Sequence, residues 1–347
     1  MTEGDGGPRT GVGGGARAVT LETPLTRHAG IEVPLVCGAM YPCSNVELVA
    51  AASEAGALGI VQPVTLAFVH GLEFREGLRR VRALTRKPIG MNALIEKSSR
   101  RYLDRMRRWV DEAIEEGVRF FVTSLGDPRW VVERAHAAGG VVYHDVTEAR
   151  WAKKAHDAGA DGLIAVNSLA GGHAGPRDPR RLLEELLPFG LPVVCAGGVG
   201  DAAGFVEALR MGHAGVQCGT RFIATTECDA SESYKAAILA AGADDIVLTE
   251  RITGVPVAVI DTPYVRRLGL HANALERWLL RHPRTKHVMR TLLAVRSVWS
   301  LKRGARTEGS QFWQAGRSVA AIHEILPAGQ IVRQWAESAA AARDAAG

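Results

Sequence analysis

The run Ala170-Gly171-Gly172-His173-Ala174-Gly175 sets a single imidazole among glycines, shortly after the apolar stretch Gly162–Val166. Glycine admits positive φ and carries no Cβ, so such a loop lets the backbone pass close to a flat ligand. Imidazole is the side chain whose unperturbed pKa falls between pH 5 and 8, which is what a general base or proton shuttle requires. The same hexapeptide can also be a tight turn closed by a capping histidine, and the surrounding sequence has to decide between the two.

A second chemical feature lies further on. Ala196-Gly197-Gly198-Val199-Gly200-Asp201 ends one apolar run, and Gly219-Thr220-Arg221-Phe222 ends the next. Glycines at strand ends expose backbone N–H groups, and a short helix starting just beyond adds its positive end, which together make a phosphate cradle. Either motif alone reads as ordinary loop glycines; the two in succession point to a phosphate-bearing ligand. His144-Asp145 offers a second acid/base candidate, with the carboxylate orienting the ring, or else a structural histidine. Cys43, after Tyr41-Pro42, is a nucleophile candidate with no neighbouring base, which favours an inert thiol. The five cysteines (Cys37, Cys43, Cys195, Cys218, Cys228) are odd in number and lack metal-ligand spacing, so neither a disulfide framework nor a metal site is expected.

The elements that must position these residues are legible as eight short apolar runs: 34–40, Leu58–Val61, 88–93, Phe120–Ser124, 140–144, Gly162–Val166, 192–196 and 214–218. They alternate with helical stretches such as 45–55 and 100–116, at a spacing near 25 residues. This alternation gives a parallel sheet with crossover helices. Eight units predict an α/β fold, a (β/α)₈ TIM barrel, with an open doubly wound sheet as the other solution. The phrases at 155–162 and 208–215 both read as a helix ending on glycine and re-entering a strand. In such barrels chemistry sits at the carboxyl ends of the strands, where His173, Asn92 and the glycines after the seventh strand all fall.

The chain divides into a Gly-rich leader (1–18) expected to be disordered, a barrel (19–265), and a helical extension (266–347) that ends in a structural helix over 328–346. Within the extension, residues 275–306 hold nine Lys or Arg interleaved with Trp and Leu. They read as basic amphipathic helices broken at Pro283: a lid, a docking surface for an anionic partner, or a helix packed on the barrel with its arginines in water. A net charge of +5, with Lys and Arg otherwise dispersed among Asp and Glu, predicts no nucleic-acid binding. No apolar stretch reaches the roughly 20 residues that span a bilayer, and no signal-peptide core precedes the barrel, so a cytoplasmic protein without an integral membrane segment is expected. No pattern specifies an oligomeric state.

Taken in order, Gly38-Ala39-Met40, Gly90-Met91-Asn92, Ala170-Gly171-Gly172-His173, Ala196-Gly197-Gly198 and Val216-Gln217-Cys218-Gly219-Thr220-Arg221-Phe222 resemble the nitronate monooxygenase (2-nitropropane dioxygenase-like) family of FMN-dependent barrel enzymes. The resemblance covers about residues 23–269, with a weaker continuation at 311–336. It implies bound FMN, with His173 as the base toward substrate and Asn92 touching the flavin ring. Ala39 and Met40 would line one side. Gly171, Gly172, Gly197, Gly198, Gln217, Cys218, Gly219 and Thr220 would hold the ring edge and the phosphate. The implied reaction is oxidation of alkyl nitronates by dioxygen, His173 removing the α-proton when a neutral nitroalkane is used. Two further readings are an NAD(P)H-dependent flavin reductase of a quinone or an enoyl thioester, and a non-redox barrel that binds a phosphate-bearing ligand.

Three departures from the family pattern surround the substrate side. Val166-Asn167-Ser168-Leu169 replaces a Gln-Gly-x-Glu, which moves one flavin contact, with Asn167 as the candidate to take it over. His144-Asp145 stands where relatives often carry lysine or glutamine, and an acid there disfavours extra negative charge on the ring. Cys37-Gly38-Ala39-Met40 replaces the commoner Gln-Ala-Pro-Met.

Overall fold

The computed structural model describes residues 19–96, 99–251, 255–271 and 312–345. The leader 1–18 and the basic stretch 275–306, with the lid expected of it, lie outside the described residues.

Eight parallel strands follow one another around a closed barrel: β1 Leu35–Cys37, β2 Leu58–Val61, β3 Ile89–Leu94, β4 Phe120–Ser124, β5 Val141–Val146, β6 Gly162–Val166, β7 Val193–Ala196 and β8 Gly215–Cys218. The register Leu35↔Val216, Val36↔Gln217 and Cys37↔Cys218 joins the last strand to the first, so the predicted TIM barrel is the fold and the open sheet is not. Strands covered on the outside by helices and on the inside by one another have no polar face, which is why their sequences run apolar without alternation.

Alternation nevertheless governs where each side chain points. Val36, Leu58, Ile60, Phe120, Val122, Tyr143, Ile164, Val194 and Ala196 form one cluster inside the barrel. Their neighbours Cys37, Val61, Met91, Phe121, Val142, Leu163, Val193 and Val216 pack outward in clusters shared with the helices. Inside, large and small residues interleave: a Cβ on Gly162 would lie 2.4 Å from the Tyr143 ring, so only glycine lets that ring span the gap to β6.

The amino-terminal end of the barrel is plugged by the helix Pro24–Ala29, started by a Thr23 capping box with proline in its first turn and ended by Gly30 at φ 65°. Its Leu25 and Ala29, with Ile31, join the interior cluster. Thr23 Oγ1 donates to the carbonyl of Ala214 at 2.7 Å, and His28 Nδ1 lies 3.1 Å from the Tyr143 hydroxyl. The carboxyl ends of the strands are therefore the open face. Gly159 (φ 84°) and Gly212 (φ 101°) end the helices before β6 and β8, as the repeated phrase predicts.

Beyond the eighth unit the chain adds an antiparallel pair, β9 Ile246–Thr249 and β10 Val257–Ile260, that the strand count did not include. The segment 312–321 packs beside β10 and the β6 loop. The C-terminal helix, Ala328–Asp344, then packs in the outer layer on the helices Ala202–Met211 and Val46–Glu54, with Trp335 and Phe205 ring centroids 5.5 Å apart.

Candidate active site

Following the inward parity upward leads to a ring of polar side chains at the carboxyl ends: Gln62 after β2, Asn92 on β3, Ser124 on β4, Asp145 on β5 and Gln217 on β8. Among the described residues, Gln62 Oε1, Asn92 Oδ1, Asp145 Oδ1 and Gln217 Oε1 are buried without a hydrogen-bond partner. Buried polar atoms are ordinarily satisfied, so four such oxygens around one barrel mouth mark a place built for a polar ligand. Gly38 makes room for one of them: a Cβ there would lie 2.9 Å from Cγ of Gln217.

The His173 loop is held by its backbone on three sides. Asn167, 1% exposed, accepts from Leu169 N through Oδ1 (2.9 Å) and donates through Nδ2 to the carbonyl of Gly197 (3.0 Å), tying the β6 loop to the β7 loop. Ala258 N on β10 donates to the carbonyl of Gly172 at 2.7 Å. Gly171 lies flat against the backbone of Ala315 and Gly316. The imidazole itself is accessible at the mouth. It is nonetheless hemmed in by protein, and that desolvation holds its pKa below the ordinary histidine value, leaving it neutral and able to accept a proton.

Beside this loop, Gly197 (φ 119°) and Gly198 (φ 85°) turn the chain after β7, with Leu169 seated over Gly198. Gly219 begins the one-turn helix Thr220–Ile223 and faces Met40, whose Cγ and Sδ would lie 3.5 Å from an added Cβ. The backbone N–H groups of Gly198, Val199 and Gly219 donate to no described residue. Thr220 Oγ1 accepts from Gly316 N at 3.0 Å. Arg221, the cation nearest this turn in sequence, is buried and donates to the carbonyls of Ala224 (2.6 Å) and Glu324 (2.7 Å), fastening the C-terminal segment.

The fold thus gathers the loops of His173, Gly197-Gly198 and Gly219-Thr220 with Ala39, Met40, Asn92 and Gln217 at one end of the barrel. Cys218 differs: it has the outward parity of β8, and its thiol reaches the carbonyl of Val199 at 3.5 Å, so only its backbone faces the site. At two positions the structural alternative holds, and one expectation is corrected. His144 points outward, is 4% exposed and shares a 2.8 Å hydrogen bond with Thr123 Oγ1; burial and, secondarily, Lys154 push its pKa down to about 4. It is structural. Cys43 is packed in the core and is no exposed nucleophile. Asn167 spends both ends of its amide on backbone and cannot supply the displaced ring contact. Strand counting to 144 also stopped one residue short of Asp145, and Gln62, Gln314 and Gly316 went unnoticed. Counting every second residue past the strand ends finds Gln62 and separates the facing of Asp145 from that of His144.

The family model for nitronate monooxygenase matches residues 22–337. The chain belongs to the nitronate monooxygenase family. It is an oxidoreductase of a flavin-using family. Among its relatives, a (3aS,4S,5R,7aS)-5-hydroxy-7a-methyl-1-oxo-octahydro-1H-indene-4-carboxyl-CoA dehydrogenase of Mycobacterium tuberculosis is 36% identical over 252 residues, 72% of this chain and 68% of that protein. A nitronate monooxygenase of Pseudomonas aeruginosa is 30% identical over 273 residues, 66% of this chain and 77% of that one. Among solved structures, FabK from Thermotoga maritima superposes with a TM-score of 0.77 at 27% identity, covering 94% of this chain and 99% of its own. Among the described residues, no helix is long and apolar enough to cross a membrane.

Proposed function

We propose that this member of the nitronate monooxygenase family is an FMN-dependent oxidoreductase that works on a C–H bond acidified by a neighbouring electron-withdrawing group, with a CoA-type thioester as its substrate class. The observation that carries the reading is His173: a neutral imidazole, accessible at the barrel mouth, on a loop whose backbone is fixed from three sides.

The residues present suit FMN. The unpartnered amides of Asn92 and Gln217 match a ring edge that alternates acceptors and a donor. The unused N–H groups of Gly198, Val199 and Gly219 form a cradle for a phosphate. When bound, the flavin supplies the two-electron chemistry. The protein's own part is to hold the reacting carbon beside His173, which takes the proton α to the carbonyl, and to keep water from the reacting face.

The thioester class is supported by the carboxyl-CoA dehydrogenases of M. tuberculosis and Rhodococcus jostii, 36% and 34% identical, against 30% for the P. aeruginosa nitronate monooxygenase. The nine cationic residues of 275–306 suit the phosphates of a CoA carrier. The second reading, oxidation of alkyl nitronates with dioxygen, is supported by the family match over residues 22–337, and a nitroalkane presents the same acidified C–H to His173. An anaerobic titration of the FMN-loaded enzyme separates them. Bleaching of the flavin by an acyl-CoA, or by NAD(P)H with reoxidation by an enoyl-CoA, is the expected result. Bleaching by a nitronate and by no thioester would overturn it in favour of the second reading.

A further inference from the structure

Asp145 is the one ionisable side chain of the polar ring on the barrel wall. It shares the inward parity of Val141 and Tyr143 on β5, one layer above the Tyr143 ring, in register with Ile164 on β6 and beside Ser124 on β4. Around the same mouth stand the amides of Asn92, two strands away on β3, and Gln217, three strands away on β8. Its Oδ1 is buried and unpartnered among the described residues. No described cation neutralises it: Lys154 donates to the carbonyl of Gly126, His144 turns outward to Thr123, and His173 is held neutral. Burial alone acts on the carboxyl and pushes its pKa up to about 7. A half-buried carboxylate whose inner oxygen has neither counter-ion nor donor lowers its energy by holding the proton.

We infer that Asp145 is a ligand-positioning residue that works as the uncharged acid, donating its proton in a hydrogen bond to an acceptor atom of the flavin bound over the barrel, so that its ionisation loosens the flavin. The inference rests on the FMN reading above. Asn92 and Gln217 can present a donor at any pH, whereas the donor of Asp145 disappears when the proton leaves. The ionised form also sets a negative charge against the ring's carbonyl oxygens. If only the acid form binds tightly, affinity declines above neutrality by up to about tenfold per pH unit.

The test compares the wild-type chain with Asp145→Asn, which keeps an N–H donor and cannot ionise. Thermal unfolding of both apoproteins is followed from pH 4 to 9, and FMN dissociation constants are measured from pH 6 to 9. The ratio of the two constants cancels the ionisation of the FMN phosphate and of His173. The expected result is a wild-type apoprotein that loses stability relative to the variant as pH rises from about 4 to about 7 and levels off above, together with a ratio that rises about tenfold per unit above neutrality. A flat ratio overturns the inference: if the stability difference persists, the acid is buried but does not touch the flavin. Failure of both proteins to take up FMN at any pH overturns the FMN reading, and this inference with it, while the stability curves still report whether Asp145 holds its proton.

Discussion

Gly171 and Gly316 lie backbone against backbone: a Cβ on Gly316 would come 2.6 Å from Gly171 N, and a Cβ on Gly171 would come 2.8 Å from Gly316 N. Residues 145 positions apart in the chain thus need glycine for the same contact, and the contact sets the loop that carries His173. Real Cβ atoms do not approach backbone that closely, so a methyl on either residue must push the loops apart.

Gly316→Ala is therefore expected to lower stability by roughly 1–3 kcal/mol, the scale of overpacking, and to lower turnover by about 10²-fold by displacing His173. Gly242→Ala, where the nearest atom lies at 3.6 Å and φ is −94°, is the control and should change neither. Urea midpoints and single-turnover flavin reduction check both. Normal turnover in Gly316→Ala would show that the loop does not depend on this contact.

His173→Asn should keep the fold and the flavin while losing turnover on a carbon acid by about 10²-fold or more. With His173 as the proposed base, the neutral form is the active one and burial holds its pKa below the ordinary 6.5, so kcat/KM should fall only as pH drops beneath that value. If a nitronate proves to be a substrate, it should be spared by the mutation because its proton is already gone. A mutant that retains the acid limb would assign the base elsewhere.

Gly219 tests the phosphate cradle. Its surroundings accept a Cβ at ordinary contact distance from Met40, and its φ of −107° suits any residue, so Gly219→Ala should retain FMN. Gly219→Leu must fill the space beside Met40, and an overpacking cost of about 1–3 kcal/mol corresponds to a loss of FMN affinity of about 5- to 150-fold. Stoichiometric FMN in the leucine variant would place the phosphate elsewhere.

Two buried imidazoles set the acid side of stability. Burial pushes His144 and His213 down to about 4, with Lys154 a secondary cause for the first and the Val193 carbonyl a partial offset for the second. Between about 6.5 and 4 the unfolded chain binds protons that the folded chain does not, so this contribution is full above 6.5 and is lost as pH falls through the window. Each can contribute on the order of 3 kcal/mol. Urea midpoints should fall with pH in that window, and His213→Gln should make the slope shallower; an unchanged slope would mean that His213 titrates normally.

The barrel was legible because its strands are short buried apolar runs punctuated by glycine, a local signal. Gly162–Val166 and Phe120–Ser124 coincide with what the pattern predicts. Facing was less legible than position. The expected run 140–144 stopped short of the observed end of β5 at Val146, so Asp145 was read as the partner of His144, although adjacent strand residues point to opposite faces. The strands Ile246–Thr249 and Val257–Ile260 carry β-branched runs that a count aimed at eight units passed over. Residues 312–321 have no local pattern at all. Their place comes from Gly316 meeting Gly171 and Thr220, and from Tyr234 Oη donating to the carbonyl of Gln314, contacts that no window of sequence contains.

The plug beneath the barrel and the strap beside its mouth divide the molecule in time as well as in space. All eight strands leave the ribosome by Cys218, 98 positions before Gly316 (316 − 218). A nascent chain can close its barrel on the Pro24–Ala29 helix while the His173 loop still lacks Gly316 and the Val257–Ile260 edge that pin it. A barrel closed at that stage would be a folded scaffold whose His173 loop is not yet set, and the site would be completed as a separate, later event in the life of each molecule.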